Sequence, residues 1–134
     1  KTNNINLTKN FNCHKKLNTY PTELTQVVLN LLKNAEDILI ANKTKNAKII
    51  INTSCKGKKI YVEVIDNAGG IKNKFFSKLF DPYFSTKTSK DGSGLGLYMC
   101  KTIIEDHCKG ILIAKNSQYG ATFTICMDTY ENED

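Results

Sequence analysis

The 134-residue sequence predicts an α/β two-layer sandwich, a mixed and mostly antiparallel sheet of about five strands with about three helices on one face. Two observations support this prediction. Apolar residues recur at helical spacing over residues 22–41 and 94–107, and four short β-branched or aromatic runs lie between and after them. The hydrophobic content of 40% and the charged content of 24% are typical of a globular protein, and the length suits one domain.

The first helix has the clearest pattern. Its predicted buried face follows i, i+3, i+4 and i+7 spacing and consists of Leu24, Val27, Val28, Leu31, Leu32, Ala35, Ile38 and Leu39. Pro21 and Thr22 stand at its start, where a proline and a hydroxyl cap are common. The segment before residue 20 has little pattern, although residues 5–7 could form an edge strand.

A β-hairpin follows the first helix. Its strands are predicted at residues 48–53 and 59–65, with a turn at 54–57 between them. The chain then breaks at residues 66–70, where Asp, Asn and Gly are typical of turns.

The remaining elements complete the predicted sheet. Residues 71–93 are mostly loop, with a short helix near 73–79. The second helix begins near Gly94, runs to His107 and is ended by Gly110, and its predicted buried residues are Leu97, Cys100, Ile103 and Ile104. Two closing strands, at 111–115 and 122–127, flank a turn at Gly120.

The basic residues restrict the possible functions. All 19 are lysine, which excludes mechanisms that need a bidentate guanidinium group, and the net charge is +6. Four of the 13 acids lie in the last seven residues, so the rest of the chain is more basic and suits a phosphorylated ligand or an acidic partner. Because the lysines are scattered, we expect no nucleic-acid partner.

The five cysteines are odd in number, irregularly spaced and without a C-x-x-C pair, which argues against a disulfide framework or a zinc site. This usage indicates a reducing compartment. No apolar run reaches the roughly 18 residues of a membrane span. We therefore expect a cytoplasmic domain without membrane contact, which could equally be the cytoplasmic part of a membrane-anchored sensor.

The polar side of the first helix carries a first candidate for chemistry. A narrow stripe next to the apolar face contains Glu23, Gln26, Asn30, Asn34 and Asp37. Asparagine is a mediocre helix former, and its amide oxygen is a neutral ligand suited to Mg²⁺. The alternative is a solvated helix face in an asparagine-rich protein.

A second candidate is the turn at residues 66–71. Asp66 directly follows a strand and precedes glycines, so a ligand could approach the backbone while the carboxylate accepts hydrogen bonds from an amine. The alternative is an ordinary Asp-Asn-Gly turn.

The third candidate is the stretch at residues 87–97. Glycines at 92, 94 and 96 lead into a helix, and Lys87 and Lys90 add positive charge, which is typical of an anion site at a helix start. The pattern is neither a P-loop nor a dinucleotide fingerprint. A flexible linker is the alternative, against which the apolar Leu95 and Leu97, alternating with the last two glycines, count.

Together, these features resemble the ATP-binding catalytic domain of bacterial sensor histidine kinases, in the GHKL ATPase superfamily. Five motifs occur in the family's order over roughly residues 20–127: an N box at 26–35, a first glycine box at 66–71, an F box at 79–87, a second glycine box at 92–97 and the closing G-[TA]-x-F at 120–123.

The resemblance implies ATP and Mg²⁺ as ligands and assigns roles by motif. Asn34 would chelate Mg²⁺, Asn30 would assist at the phosphates, and Asp66 would accept the adenine amino group. Gly70 and Ile71 would line the base pocket, and Phe80 would anchor a lid over it. The lid and the phosphate-contacting helix start would include Thr86, Lys87, Ser93, Gly94, Leu95, Gly96 and Leu97. Asn30, Asn34 and Lys87 form the implied catalytic set, and Asp37, Leu79 and Thr122 complete the implied nucleotide-binding set.

Three positions depart from the family pattern. Ala68 replaces the first glycine of D-x-G-x-G, and Asp37 stands where many relatives have a basic residue. Ala121 occupies a position where some superfamily members have a threonine near adenine, and Thr122 is one residue out of register.

Asn30 discriminates within the superfamily. Members that hydrolyse ATP carry a glutamate at this position that activates water, whereas an amide cannot act as a general base. A histidine acceptor is already nucleophilic at neutral pH, so the domain does not need to supply a general base. The expected activity is therefore that of a protein histidine kinase in two-component signalling, which donates the γ-phosphoryl group of ATP to a histidine on a separate dimerisation domain.

The same resemblance predicts the organisation of the protein. Residues 1–134 are expected to form one ATP-binding domain with its core at about 20–127, and the dimerisation and sensor domains are expected to lie outside this chain. His14 and His107 lack the acceptor motif, so the domain alone should turn over little ATP. A response regulator would be the downstream partner.

Two alternatives stay open from the sequence. One is an anti-sigma-factor type serine kinase, which is also short but uses the glutamate that is missing here. The other is a non-catalytic nucleotide-binding or protein-docking module, for which Ala68 is the support.

Overall fold

The computed structural model describes residues 4–14, 20–84 and 96–129. The strands are β1 (Asn6–Phe11), β2 (Lys48–Lys56), β3 (Lys59–Asp66), β4 (Ile111–Asn116) and β5 (Ala121–Asp128). The helices are α1 (Pro21–Ala41) and α2 (Gly96–Thr102), with a 3-10 helix at Asn73–Lys78 and a π-helical turn at Ile103–His107.

The five strands form one sheet in the order β1-β2-β3-β5-β4. β1 pairs with β2 in parallel, and every other neighbouring pair is antiparallel. Both α1 and α2 pack on the same face of this sheet, where the buried residues of β2, β3 and β5 lie. The predicted mixed α/β two-layer sandwich is confirmed.

The core forms between α1 and the sheet because each is apolar on one side, and these two apolar sides face each other. Val27, Leu31, Ala35 and Leu39 are buried at helical spacing, as the sequence predicts, and the other four residues of the predicted face are partly exposed. In β5 the side chains alternate, and Ala121, Phe123, Ile125 and Met127 face the helices. Burial of this apolar surface is the main stabilising contribution to the fold.

The element boundaries differ from the sequence prediction at three places. The hairpin turn is shorter than residues 54–57, because β2 and β3 remain paired as far as Lys56 and Lys59. Pro21 takes the first helical position as expected, but Tyr20 is the capping residue and makes no side-chain capping bond, so the predicted hydroxyl cap at Thr22 is wrong. The edge strand is longer than residues 5–7 and ends at Phe11.

The second helix changes its winding after Thr102. The amide of Cys108 bonds to the carbonyl of Ile103, five residues earlier, so the last turn is π-helical. This wider turn buries both Ile103 and Ile104. Gly94 and Leu95, the predicted start of this helix, lie outside the described residues.

Among the described residues, no helix combines the length and apolar character needed to cross a membrane.

Truncation on the two sides of α1 should have different effects. Leu31 is 1% exposed and Leu29 is 59% exposed on the same helix. We expect Leu31→Ala to lower the free energy of unfolding by about 2–5 kcal/mol, through lost burial and a residual cavity. Leu29→Ala, the matched control, should change it by less than about 0.5 kcal/mol. Urea denaturation measures both, and equal losses would contradict this packing.

Candidate functional site

Asp66 is the centre of the candidate site. It is the last residue of β3 and only 4% exposed. Its Oδ1 accepts hydrogen bonds from the amides of Ala68, at 2.9 Å, and Ala121, at 3.4 Å. Within the described ranges, no protein group donates to Oδ2. Burial raises the pKa of Asp66 above its usual value, and the two amide donors oppose that rise.

Because Gly120 has no side chain, Asp66 can lie directly against its backbone. A Cβ atom at this position would lie 2.2 Å from the Asp66 carbonyl oxygen and 2.9 Å from Oδ1. The next residue, Ala121, is paired with Asn116 on β4 and donates its amide to Asp66. The ends of β3, β5 and β4 therefore meet at one edge of the sheet.

Three asparagines hold the loop that follows Asp66. Asn42 donates to the carbonyl of Ala68 at 2.9 Å. Asn67 accepts from the amide of Lys48 at 2.8 Å and donates to the carbonyl of Asn46 at 3.0 Å. Asn116 exchanges two hydrogen bonds with the backbone of Ile71, both at 2.7 Å. The sequence pattern did not single out these residues in a loop-holding role, because the chain contains fifteen asparagines.

The two amides of α1 lie on a partly buried side of the helix. Asn30 and Asn34 are one turn apart, and both are half-buried. The side chain of Asn30 lies close enough to the Cys100 thiol on α2 to oppose the rise of its pKa. That thiol donates to the carbonyl of Val27 at 3.8 Å. The Cys100–Val27 bond thus ties α1 to the helix that follows the second glycine box.

Cys100 is a structural thiol in this arrangement. It is fully buried, and burial raises its pKa to about 11 against the lowering effect of Asn30. Because a nucleophilic cysteine needs a depressed pKa, this residue is not a candidate nucleophile.

Asp37 also lies on α1, one turn after Lys33. The Lys33 Nζ and Asp37 Oδ1 atoms are 3.2 Å apart. Asp37 is half-buried and lies three residues after Asn34. The lysine compensates the negative charge that this position adds beside the two amides.

Phe80 is fixed from two sides. Its ring meets Phe123 edge-to-face, with 6.4 Å between centroids, and the ammonium group of Lys101 lies 4.8 Å from its centre. Lys101 also pairs with Glu105 at 2.9 Å. Leu79, next to Phe80, is buried in the core. The F-box pair therefore rests on α2 and β5.

The remaining predicted residues fall into three groups. Gly70 and Ile71 lie in the loop after Asp66, and Gly96 and Leu97 begin α2. Thr122 lies on the opposite face of the sheet from Ala121, because successive strand residues alternate, so the structure does not bring it beside Asp66. The other predicted lid and phosphate-site residues lie outside the described ranges, namely Thr86, Lys87, Ser93, Gly94 and Leu95.

Two surface depressions lie away from Asp66. One, of about 400 Å³, is lined by Tyr20, Glu23, Asp106, His107 and Lys109. The other, of about 210 Å³, is mostly apolar and lies between β1 and α1. In the first, the exposed His107 and Glu23 pair at 2.9 Å and link the end of the π-helical turn to the start of α1. Neither depression contains a buried charge, so we place the candidate site at Asp66.

The geometry at Asp66 suits a planar ligand with an exocyclic amine. The Asp66 Oδ2 atom can accept a hydrogen bond, and the adjacent glycines let a flat ring approach the backbone. Asn30 and Asn34, whose amide groups carry polar oxygen and nitrogen atoms, belong to α1, the helix that packs against β3. No group of three His, Cys, Asp or Glu side chains within the described ranges could hold a metal ion.

Comparison with known proteins gives a family match over most of the chain. The family described as histidine kinase-, DNA gyrase B- and HSP90-like ATPases matches residues 19–131. A putative sensor histidine kinase NtrY-like of Rickettsia bellii is 36% identical over 104 residues, which is 78% of this chain and 16% of that protein. The sensor histidine kinase ZraS of Escherichia coli is 35% identical over 105 residues, 78% of this chain and 21% of that protein. The chain thus spans about a fifth or less of the length of these relatives.

Solved structures agree with the sequence matches. The catalytic domain of the histidine kinase ThkA superposes with a TM-score of 0.80 at 30% identity, covering 95% of this chain and 80% of that one. ThkA in complex with the response regulator protein TrrA has a TM-score of 0.77 at 27% identity, covering 96% of this chain and 35% of that one.

The raised pKa of Asp66 predicts a pH-dependent effect of its replacement. The folded protein binds this proton more tightly than the unfolded chain, so the contribution of Asp66 to stability falls as the pH rises from 3.8 through the raised pKa. Asp66→Asn removes the ionisable carboxyl group and therefore removes this loss of stability at higher pH. Its free energy of unfolding relative to wild type should therefore be higher at pH 7 than at pH 3, as measured by urea denaturation.

A stability of Asp66→Asn that falls relative to wild type between pH 3 and pH 7 would show that the pKa is lowered instead.

A methyl group at Gly120 should be costly because the Asp66 backbone is so near. We expect Gly120→Ala to lower the free energy of unfolding by about 1–3 kcal/mol. At Gly96 in α2, a Cβ would meet no atom of the described residues within 4 Å. Gly96→Ala should therefore leave stability unchanged or raise it by up to about 1 kcal/mol. Chemical denaturation of both variants tests this contrast, and a fully stable Gly120→Ala would refute the close approach.

Proposed function

Because the chain belongs to the family of histidine kinase-, DNA gyrase B- and HSP90-like ATPases, we propose that it binds ATP with Mg²⁺ and donates the γ-phosphoryl group to a histidine on a separate dimerisation domain. The observation that supports this most directly is the buried carboxylate of Asp66, whose Oδ1 accepts from two amides and whose Oδ2 accepts from no group in the described part of the chain. An adenine amino group is the donor that such an acceptor suits.

Asp66 would recognise the base by a charge-assisted hydrogen bond. Its two amide donors hold the carboxylate in place, so little reorganisation accompanies binding. The glycines after it would admit the ring, and Ile71 would contact its face. Selection of adenine over guanine follows from the acceptor character of Oδ2, since guanine presents a carbonyl where adenine presents an amine.

Asn30 and Asn34 would serve the phosphate end. Their amides fit Mg²⁺, which takes oxygen ligands and uses only one or two from the protein. Asn34 would hold the ion, and Asn30, one turn earlier on the same helix, would contact the phosphates. The bound ion would neutralise charge on the phosphate oxygens. No residue of this set is a strong base, which suits transfer to a histidine because the imidazole needs no deprotonation.

The lid residues complete the proposed site. Thr86, Lys87, Ser93, Gly94, Leu95, Gly96 and Leu97 would cover the phosphates, with Lys87 supplying positive charge. Phe80 would anchor this lid from its position between Phe123 and Lys101. Catalysis would then consist mainly of positioning and charge neutralisation, as in other phosphoryl transfers.

We propose the partners on the same basis. The acceptor histidine would belong to a dimerisation domain of the same kinase, and the phosphoryl group would pass to a response regulator. The ThkA complex with TrrA supports the second partner by analogy. We propose a cytoplasmic location for the domain.

Nucleotide binding is the first test. We expect calorimetry to show that wild type binds ATP with Mg²⁺, and that Asp66→Asn weakens binding roughly 10- to 100-fold by loss of a charge-assisted hydrogen bond. Asn34→Ala should weaken binding when Mg²⁺ is present and much less in excess chelator. Asn10→Ala, which removes an exposed hydrogen bond to Asn52 on the edge of the sheet, is the matched control and should bind as wild type. A wild type that binds no ATP would refute the proposed function.

Phosphoryl transfer separates the three candidate activities. The domain is mixed with labelled ATP and a helical dimerisation fragment that carries an acceptor histidine. Acid-labile phosphohistidine supports the histidine kinase, acid-stable phosphoserine on a protein substrate supports the serine kinase, and binding without transfer supports a nucleotide-binding module.

A further inference from the structure

The side chain of Asn116 makes two hydrogen bonds with the backbone of Ile71, as a neighbouring β-strand would. The Ile71 amide donates to Asn116 Oδ1 at 2.7 Å, and Asn116 Nδ2 donates to the Ile71 carbonyl at 2.7 Å. These two bonds join residues that are 45 positions apart in sequence. One side chain therefore satisfies both backbone groups of Ile71, a residue in a loop that has no strand partner of its own.

The sheet register places Asn116 next to Asp66. Asn116 ends β4 and is paired with Ala121 on β5. Ala121 in turn donates its amide to Asp66 Oδ1 at 3.4 Å. Asp66, Ala121 and Asn116 thus lie in a row across the ends of three strands. The loop that begins after Asp66 is therefore also held by Asn116, at the other end of this row.

The backbone at Gly70 is matched to this contact. Gly70 has φ +92°, a conformation that other residues rarely adopt, and a Cβ there would lie 2.8 Å from Asn116 Oδ1. The amide of Asn116 occupies the space that a side chain at residue 70 would fill. The glycine is therefore required by an intramolecular contact in addition to any ligand.

We propose that Asn116 is a positioning residue for the base pocket, acting by fixing Gly70 and Ile71 at a set distance from Asp66. This inference rests on the proposed function, because it concerns how the same site recognises the purine ring of ATP. Asn116 does not contact the ligand. It holds the loop wall against which the ring packs while Asp66 accepts the amino group.

A thermodynamic cycle on ATP affinity tests this role. Asn116→Ala removes both hydrogen bonds, and since Asn116 is exposed the variant keeps the core intact. We expect it to weaken ATP binding about tenfold in the wild-type background, from loss of two hydrogen bonds that order the loop. In the Asp66→Asn background the same change should cost less than threefold, because the base contact is already lost. In the Asn34→Ala background the cost should again be about tenfold.

The outcomes separate this inference from simpler explanations. Equal costs in all three backgrounds would indicate a general structural effect and overturn the positioning role. Unchanged ATP affinity in Asn116→Ala would overturn it as well, while a wild type without ATP affinity would instead refute the proposed function on which it rests. Asn10→Ala is the matched control and should leave affinity unchanged in every background.

Hydrogen exchange supplies a second readout. In Asn116→Ala the amide of Ile71 should exchange faster, whereas the amides of Ala68 and Ala121, which bond to Asp66, should keep their protection. Equal protection of Ile71 in variant and wild type would overturn the proposal, even if the affinity changed.

Discussion

The buried carboxylate of Asp66 is the constraint on which the rest of the site depends. A charge that is 4% exposed at the end of a strand must be compensated, and here two backbone amides compensate it. One of those amides, that of Ala121, comes from β5, so a shift of the β3–β5 register would leave the carboxylate with only the Ala68 donor. The absence of a side chain at Gly120 lets the two strands approach closely enough for this bond.

The site combines segments that are distant in sequence. α1 contributes two amides, β3 the carboxylate, β4 an asparagine and β5 a backbone donor. The strand order, in which β5 lies between β3 and β4, brings the last three together. α1 is then held in place by its apolar face and by the hydrogen bond from the Cys100 thiol on α2 to the Val27 carbonyl. Helix packing therefore positions the two amides of α1, and sheet register positions Asp66, Ala121 and Asn116.

Local periodicity explains what the sequence predicted well. α1 and the strands of the hairpin have patterns that follow from one element at a time, and the five motifs identified the family. The parallel pairing of β1 with β2 was not predictable, because it depends on a partner more than forty residues away. The π-helical turn follows from packing of Ile103 and Ile104. Asn116 could not be distinguished from the other asparagines, since its role exists only in the register of β4 and β5. The assigned ligand roles stay predictions.

Apart from the bond between the Ala68 amide and the Asp66 carboxylate, the side chains that hold the loop after Asp66 are neutral. Asn42, Asn67 and Asn116 bond to backbone atoms through uncharged amides, at 2.7–3.0 Å. Dissolved salt weakens attractions between exposed charges beyond a Debye length of about 8 Å at physiological ionic strength, but it has little effect on short dipolar contacts of this kind. The pocket wall should therefore keep its shape in dilute and concentrated salt alike. Any dependence of ligand affinity on ionic strength would then have to arise elsewhere, for example at the lysines, and not from a change in the shape of this loop.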